Sequence, residues 1–204
     1  YIMSVVPTPD GKFMIFWMED AWPASSLKFT KIDSEGNIEI GWNPNGNSLS
    51  NPSFDSRNLT VKSVADESGV LAIWTQDGNF SDIYAQMISW DGEALWNEGG
   101  IAVSEADNDQ VNFSFEFNES KTHALVTWED YRNGTDFEIF GEVIDLESGS
   151  SNNQDVQFSN DTTNQYNPTM ALVQNNEFLV IWEDERGYYN ACLLYTSDAA
   201  DDSG

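Results

Sequence analysis

Val70-Leu71-Ala72-Ile73-Trp74-Thr75-Gln76-Asp77, followed after a short turn by Asp82-Ile83-Tyr84-Ala85-Gln86-Met87-Ile88, is the stretch on which the fold is decided. The first run is apolar on both faces as far as its tryptophan, as a strand covered from two sides must be. The second alternates aromatic and β-branched residues with small or polar ones, the period of a half-buried strand. Outward from this hairpin the first run recurs as Phe13-Met14-Ile15-Phe16-Trp17-Met18-Glu19-Asp20, Ala124-Leu125-Val126-Thr127-Trp128-Glu129-Asp130 and Phe178-Leu179-Val180-Ile181-Trp182-Glu183-Asp184. Trp17, Trp74, Trp128 and Trp182 are separated by 57, 54 and 54 residues, a fixed period that marks a repeat architecture.

Each tryptophan run follows a turn signal, as in Pro9-Asp10-Gly11, and another β-prone stretch, as in Thr169-Met170-Ala171-Leu172-Val173. The third strand is echoed by Glu138-Ile139-Phe140-Gly141-Glu142-Val143-Ile144. A turn such as Asp91-Gly92 or Ser34-Glu35-Gly36 then leads to a weaker fourth strand containing Leu95-Trp96 and Ile101-Ala102-Val103. No window carries a helical period. Four short antiparallel strands in each unit of about 50 residues make a propeller blade. The expected fold is therefore all-β, a partial β-propeller of about three and a half four-stranded antiparallel blades near 1–50, 51–105, 106–160 and 161–190 (incomplete). The repeated tryptophans are expected in the core, where one aromatic at one register serves blade-to-blade packing. The opening Tyr1-Ile2-Met3-Ser4 reads as mid-strand, so the remaining blades of the same chain are expected as partners.

The 204 residues are 40% hydrophobic and 13% aromatic, enough for a sizeable core. The 35 acidic residues against 8 basic ones leave a net charge of -27, scattered along the chain. So few cations cannot neutralise a phosphate backbone or an anionic membrane, which excludes nucleic acid. A solvated surface that keeps an exported protein soluble accounts for the charge, and acidic loops binding a divalent cation are the sharper reading. No run approaches the roughly 18 apolar residues of a membrane span, so no membrane insertion is expected. With Cys192 alone, a disulfide within the chain is impossible.

The units resemble a repeat of large exported bacterial and metagenomic proteins that reads Trp-x-Asp-x-Arg, Asp-Ile-Tyr-Ala-Gln, Asp-Gly-x-x-Leu-Trp and Gly-x-x-Val. Trp74, Asp82 to Gln86, Asp91-Gly92-Glu93-Ala94-Leu95-Trp96 and Gly100-Ile101-Ala102-Val103 carry that pattern here. Its first element stands as Trp128-Glu129-Asp130-Tyr131-Arg132 and Trp182-Glu183-Asp184-Glu185-Arg186, whereas Asp20 and Asp77 lack a following arginine. The resemblance covers residues 1 to 190 and implies a propeller-like fold in an extracellular or cell-surface setting. The fourth unit departs from the pattern at Ala191-Cys192-Leu193-Leu194. Residues 192–202 resemble a translated sequencing adapter, so 191–204 read as a non-native tail, with a natural divergent tail as the alternative.

Asp130 with Arg132 and Asp184 with Arg186 can hold turns together through charge-assisted hydrogen bonds. The alternative is an arginine cluster gripping a carboxylate ligand, as in sialidases. Against it, Arg132 and Arg186 occupy equivalent repeat positions, and Ser89-Trp90-Asp91-Gly92 misses the Ser-x-Asp-x-Gly box by one residue. Glu19-Asp20, Glu129-Asp130 and Glu183-Asp184 are candidates for the two carboxylates that glycosidases need, yet among 35 acids such pairs arise without selection. His123 has no partners in the sequence for a zinc site or a catalytic triad. Asp107-Asn108-Asp109 offers calcium-type oxygens without the later Gly and Glu of an EF-hand. No catalytic, cofactor or metal residue is assigned, and calcium is the one cofactor left open. The reading that follows is a non-catalytic module binding protein or glycan, or serving as scaffold. The alternative is a fragment of a propeller glycoside hydrolase or sialidase whose catalytic residues lie partly in the missing blades.

Overall fold

The structure, a computed structural model, describes residues 2–20, 22, 24–64, 68–151, 155–173 and 177–195. Its strands are β1 (Ile2–Pro7), β2 (Phe13–Glu19), β3 (Ser26–Ile32), β4 (Asn47–Ser48), β5 (Asp55–Ser63), β6 (Val70–Asp77), β7 (Ser81–Ile88) and β8 (Ile101–Ser104), then β9 (Gln110–Phe117), β10 (His123–Asp130), β11 (Glu138–Asp145), β12 (Val156–Gln157), β13 (Gln165–Leu172), β14 (Glu177–Asp184) and β15 (Tyr188–Tyr195). They form antiparallel sheets in the orders β1-β2-β3-β4, β5-β6-β7-β8, β9-β10-β11-β12 and β13-β14-β15. Spatial order equals sequence order, so each sheet is a meander whose second strand is the tryptophan run.

The chain divides into two compact units, Tyr1–Glu105 and Ala106–Gly204. In the first, Met14 and Phe16 of β2 and Leu27 and Phe29 of β3 meet Val70, Ala72 and Trp74 of β6 in one apolar core. Each fully buried side chain of this kind contributes about 2 kcal/mol. In the second, Leu125 of β10 and Ile139 of β11 meet Phe178, Val180 and Trp182 of β14. Period-two alternation makes this possible, because residues 14 and 16 share one face of β2 and 178, 180 and 182 share one face of β14.

Trp74, Trp128 and Trp182 are buried, whereas Trp17 is half-buried. The same contrast runs along whole strands: β6 and β10 are buried on both faces, but β2 and β14 alternate. Ile15 and Trp17 on one face of β2, and Leu179 and Ile181 on one face of β14, are half-buried. The expectation of two covered faces therefore applies to β6 and β10 and not to β2 and β14.

The repeat motifs have local structural causes. Tyr84 stacks on Trp74 with centroids 6.2 Å apart. Gln86 turns its side chain outward along its sheet, donating to the Asn97 carbonyl at 2.7 Å and accepting the Trp96 N–H at 3.0 Å. The Leu95 N–H still pairs with the Met87 carbonyl at 2.8 Å, but Gln86 takes the Trp96 N–H, so the pairing stops at an isolated bridge of Ala94 with Ile88. Leu95-Trp96 is thus not the strand the sequence suggests, and β8 begins at Ile101. The third-strand pattern lapses at Ala191, yet β15 pairs with β14 through Tyr195. A ladder is built from main-chain groups, which most side chains leave unchanged. Residues 196–204, which hold most of the adapter-like segment, lie outside the described residues.

Candidate functional site

The second unit gathers its ionisable side chains where β10 and β14 end and β11 and β13 begin. Asp130, buried at the end of β10, accepts hydrogen bonds from the Arg132 backbone N–H at 2.8 Å, Arg132 Nε at 2.9 Å, Arg132 Nη2 at 2.6 Å and Trp128 Nε1 at 2.7 Å. Arg132 also donates to Asp155 at 2.6 Å and lies 4.0 Å over the Phe140 ring. Burial opposes the guanidinium charge, but the Asp130 and Asp155 carboxylates outweigh it and raise its pKa. One turn is thus locked by a fork-to-carboxylate pair, an indole N–H and a cation–π contact.

Asp184 repeats the arrangement with different support. Arg186 donates to it through its backbone N–H and Nε, both at 2.8 Å, and through Nη2, which also reaches Asp161. The Trp182 indole donates to Gln165 at 3.0 Å, and Gln165 in turn donates to Asp184 at 3.2 Å. The Arg186 guanidinium holds the Asp184 carboxyl far below the usual carboxylate range, and Asp184 raises Arg186 in return. In the first unit Arg57 reaches across from β5 to Asp77 and donates to Ser81 at 3.2 Å, filling the role that the sequence leaves vacant after Asp77. Each of the chain's arginines is therefore paired with a carboxylate of its own unit.

Beside these clasps lies a carboxylate of another kind. Glu129 is buried, and its oxygens accept from the Asn112 side chain at 2.9 Å and from the Asn167 backbone N–H at 2.7 Å. Burial pushes its pKa up, the two hydrogen bonds oppose this, and the negative charge of Glu183 adds to the rise. Glu183 is exposed. Both follow their tryptophan by one residue on neighbouring sheets of the unit, so they point in the same sense: Glu129 shares the face of Leu125, and Glu183 that of Leu179 and Ile181. Glu138, the first residue of β11, is likewise buried and raised foremost by burial, while accepting from Ser159 and from the Asp161 N–H at 2.7 Å.

A row of half-exposed rings accompanies them. Tyr131 and Phe137 lie with centroids 4.9 Å apart, and Phe137 and Tyr166 6.2 Å apart. Burial and the charges of Glu185 and Glu129 raise the Tyr166 hydroxyl. Of these residues the sequence singled out Glu129-Asp130, Glu183-Asp184 and the two arginines. It missed Asn112, Asn167, Glu138, Phe137 and Tyr166. Asn112 and Asn167 had a signal, since both precede their tryptophan by about the same interval as Asn58 does, and each adopts positive φ.

The other sequence candidates lie apart from this cluster. His123 begins β10, half-exposed, with Nδ1 3.0 Å from Thr122 Oγ1 and Nε2 3.6 Å from Asp145. In Asp107-Asn108-Asp109 the Asn108 side chain donates to the Arg132 carbonyl at 3.5 Å, and the carbonyls of residues 107 and 108 accept from Gln110. Among the described residues no group of three His, Cys, Asp or Glu is arranged to hold a metal ion. None forms a helix long and apolar enough to cross a membrane.

No protein family and no curated protein matches the chain in sequence. Solved structures do match in shape. The endo-arabinase from Bacteroides thetaiotaomicron aligns with 95% of this chain and 74% of its own at 11% identity, with a TM-score of 0.51. The Penicillium chrysogenum alpha-L-arabinanase complexed with arabinobiose aligns with 93% of this chain and 60% of its own at 13% identity and a TM-score of 0.54. The GH93 alpha-L-arabinofuranosidase of Fusarium graminearum aligns with 88% of this chain and 55% of its own at 14% identity and a TM-score of 0.54. The chain spans only part of each. At such identities the likeness shows fold alone: the chain is all-β, a partial β-propeller built from four-stranded antiparallel blades.

Proposed function

We propose that the chain is part of a propeller glycoside hydrolase and that its second unit contributes to the sugar-cleaving face. The observation that carries this is Glu129, a buried carboxyl with a raised pKa, near the ring row Tyr131, Phe137 and Tyr166, with exposed Glu183 at the equivalent position of the neighbouring sheet. Cleavage of a glycosidic bond needs one carboxyl that keeps its proton to release the leaving group and a second that is ionised. Burial favours the proton on Glu129, and the half-exposed rings offer flat apolar surface to a sugar. The structures of similar shape are named for arabinan and arabinofuranoside cleavage, so arabinose polymers are the first substrates to try. An exported setting suits a polymer-degrading protein.

The test is release of reducing ends from linear arabinan and of nitrophenol from p-nitrophenyl α-L-arabinofuranoside by the 204-residue chain. Glu129→Gln and Glu183→Gln should each lower the rate about 100-fold or more, the usual worth of a general acid or base, with the far-UV spectrum unchanged. No release by the wild type, or release untouched by both substitutions, refutes the proposal.

A second reading, a non-catalytic module that binds protein or glycan or acts as scaffold, is favoured by the repetition of the clasps. Arg132 and Arg186 serve equivalent turns, and the motif residues Trp74, Tyr84 and Gln86 serve their own sheet. That reading expects binding without turnover.

A further inference from the structure

We infer that the first unit carries a separate sugar-binding surface at the sheet end where β2 leads into β3 and β6 into β7, with Trp22, Phe54 and Phe80 as its stacking rings. Trp22 is 95% exposed, Phe54 40% and Phe80 44%, so each of three loops presents one uncovered aromatic side chain. The loops are joined to one another. The Ser25 backbone N–H donates to Asp55 at 2.6 Å and the Ser56 N–H to the Ser25 carbonyl at 2.9 Å, which ties the β2–β3 loop to the residues following Phe54. The Phe54 ring in turn lies 4.0 Å from where a Cβ on Gly78 would stand, against the β6–β7 loop that holds Phe80. Uncovered rings on neighbouring, mutually fastened loops are a surface held ready for a ligand.

The rim decides which ligand. Asp20 and Asp55 are exposed at the same loops, and Asp77 and Arg57 form a half-exposed pair beside Phe80. With a chain charge of -27, an anionic partner is repelled. A neutral polyhydroxylated chain fits both parts of the surface. Its C–H faces carry partial positive charge and are drawn to the negative faces of the rings, while its hydroxyls donate to the carboxylates without bringing a charge. The choice of a sugar rests on the carbohydrate reading above, but the position of the surface does not, since it shares no residue with Glu129 and Glu183.

Affinity gel electrophoresis of the full chain through soluble linear arabinan, arabinogalactan or xylan tests it. The wild type should be retarded by at least one polymer. Trp22→Ala and Phe80→Ala should weaken that retardation at least fivefold while p-nitrophenyl arabinofuranoside hydrolysis stays as in the wild type. Ile40→Ala, equally exposed but on the β3–β4 connection, should bind like the wild type. Retardation equal in wild type, Trp22→Ala and Phe80→Ala overturns the inference and leaves the hydrolase reading intact. Unretarded migration in every polymer, which a protein partner would produce, overturns it as well. Retardation lost with Trp22 in a chain that hydrolyses nothing sustains the surface and removes the hydrolase.

Discussion

Trp74 lies so close over Gly100 that a Cβ there would stand 2.5 Å from the indole Cη2 and 2.8 Å from the Ala85 carbonyl oxygen, at a φ of +91°. Trp17 and Gly46 repeat the contact at 2.3 Å with a φ of +79°. The glycine of the Gly-x-x-Val motif is thus the floor on which the tryptophan of the same unit rests. Gly100→Ala should cost about 3 kcal/mol from forced repacking in addition to the positive φ. Gly11→Ala, also at positive φ but with nothing within 4 Å, should cost only about 1–2 kcal/mol. Urea midpoints of the two variants measure the difference, and equal losses would remove the packing argument. The tryptophans themselves were legible from their spacing. Which glycine each one needs was not, because the partner is about 26 to 29 residues away and its contact depends on main-chain geometry that a spacing pattern does not carry.

Among the elements, the first strands of the second, third and fourth sheets each carry a β-bulge: the register slips between Arg57 and Thr60, opposite Thr127 to Glu129, and between Tyr166 and Thr169. An asparagine with positive φ, Asn58, Asn112 or Asn167, sits in each. Glu129 fastens the bulges of β9 and β13 together, so one buried carboxyl serves both the fold and the proposed chemistry. Its raised pKa, and that of Glu138, mean the folded state holds these protons more tightly than the unfolded one. Stability from this source is full below the unfolded glutamate value of about 4.3 and is lost as pH rises through the folded values. Asp10, held at about 2 by Thr8 and Lys31, and Asp33, Asp145 and Asp184, also lowered, act oppositely, losing their contribution as pH falls below about 4. The melting midpoint should therefore peak near pH 4–5, with a shallower fall toward neutral pH in Glu129→Gln; a wild-type maximum at pH 7 or above would contradict this. Strand number and order could be read from period-two patterning, whereas the bulges break that period and were missed. The site was legible only as acidic pairs, since Glu129 and Glu183 differ in burial and burial is a property of neighbouring sheets.

For the whole molecule, two tendencies oppose each other. Ile15 and Trp17 on the first sheet and Leu179 and Ile181 on the last described one leave apolar side chains half-covered, and Val5 is exposed. A charge of -27 keeps copies apart at low ionic strength. Salt shortens the range of that repulsion to about 10 Å at 0.1 M and about 3 Å at 1 M. The weight-average mass from light scattering should therefore rise as sodium chloride is added and fall again in Ile15→Lys; a single monomeric mass at every salt concentration would show the faces to be inert. The form such assemblies take follows from the bulges. β5, β9 and β13 are sheet edges whose hydrogen-bonding groups are interrupted at an asparagine, and β4 and β12 are edges only two residues long. A broken or very short edge is a poor template for adding strands from another chain. Contacts between copies should accordingly be face-to-face, reversible and limited in number, and thioflavin-positive fibril growth would show that the edges protect the chain less than their geometry implies.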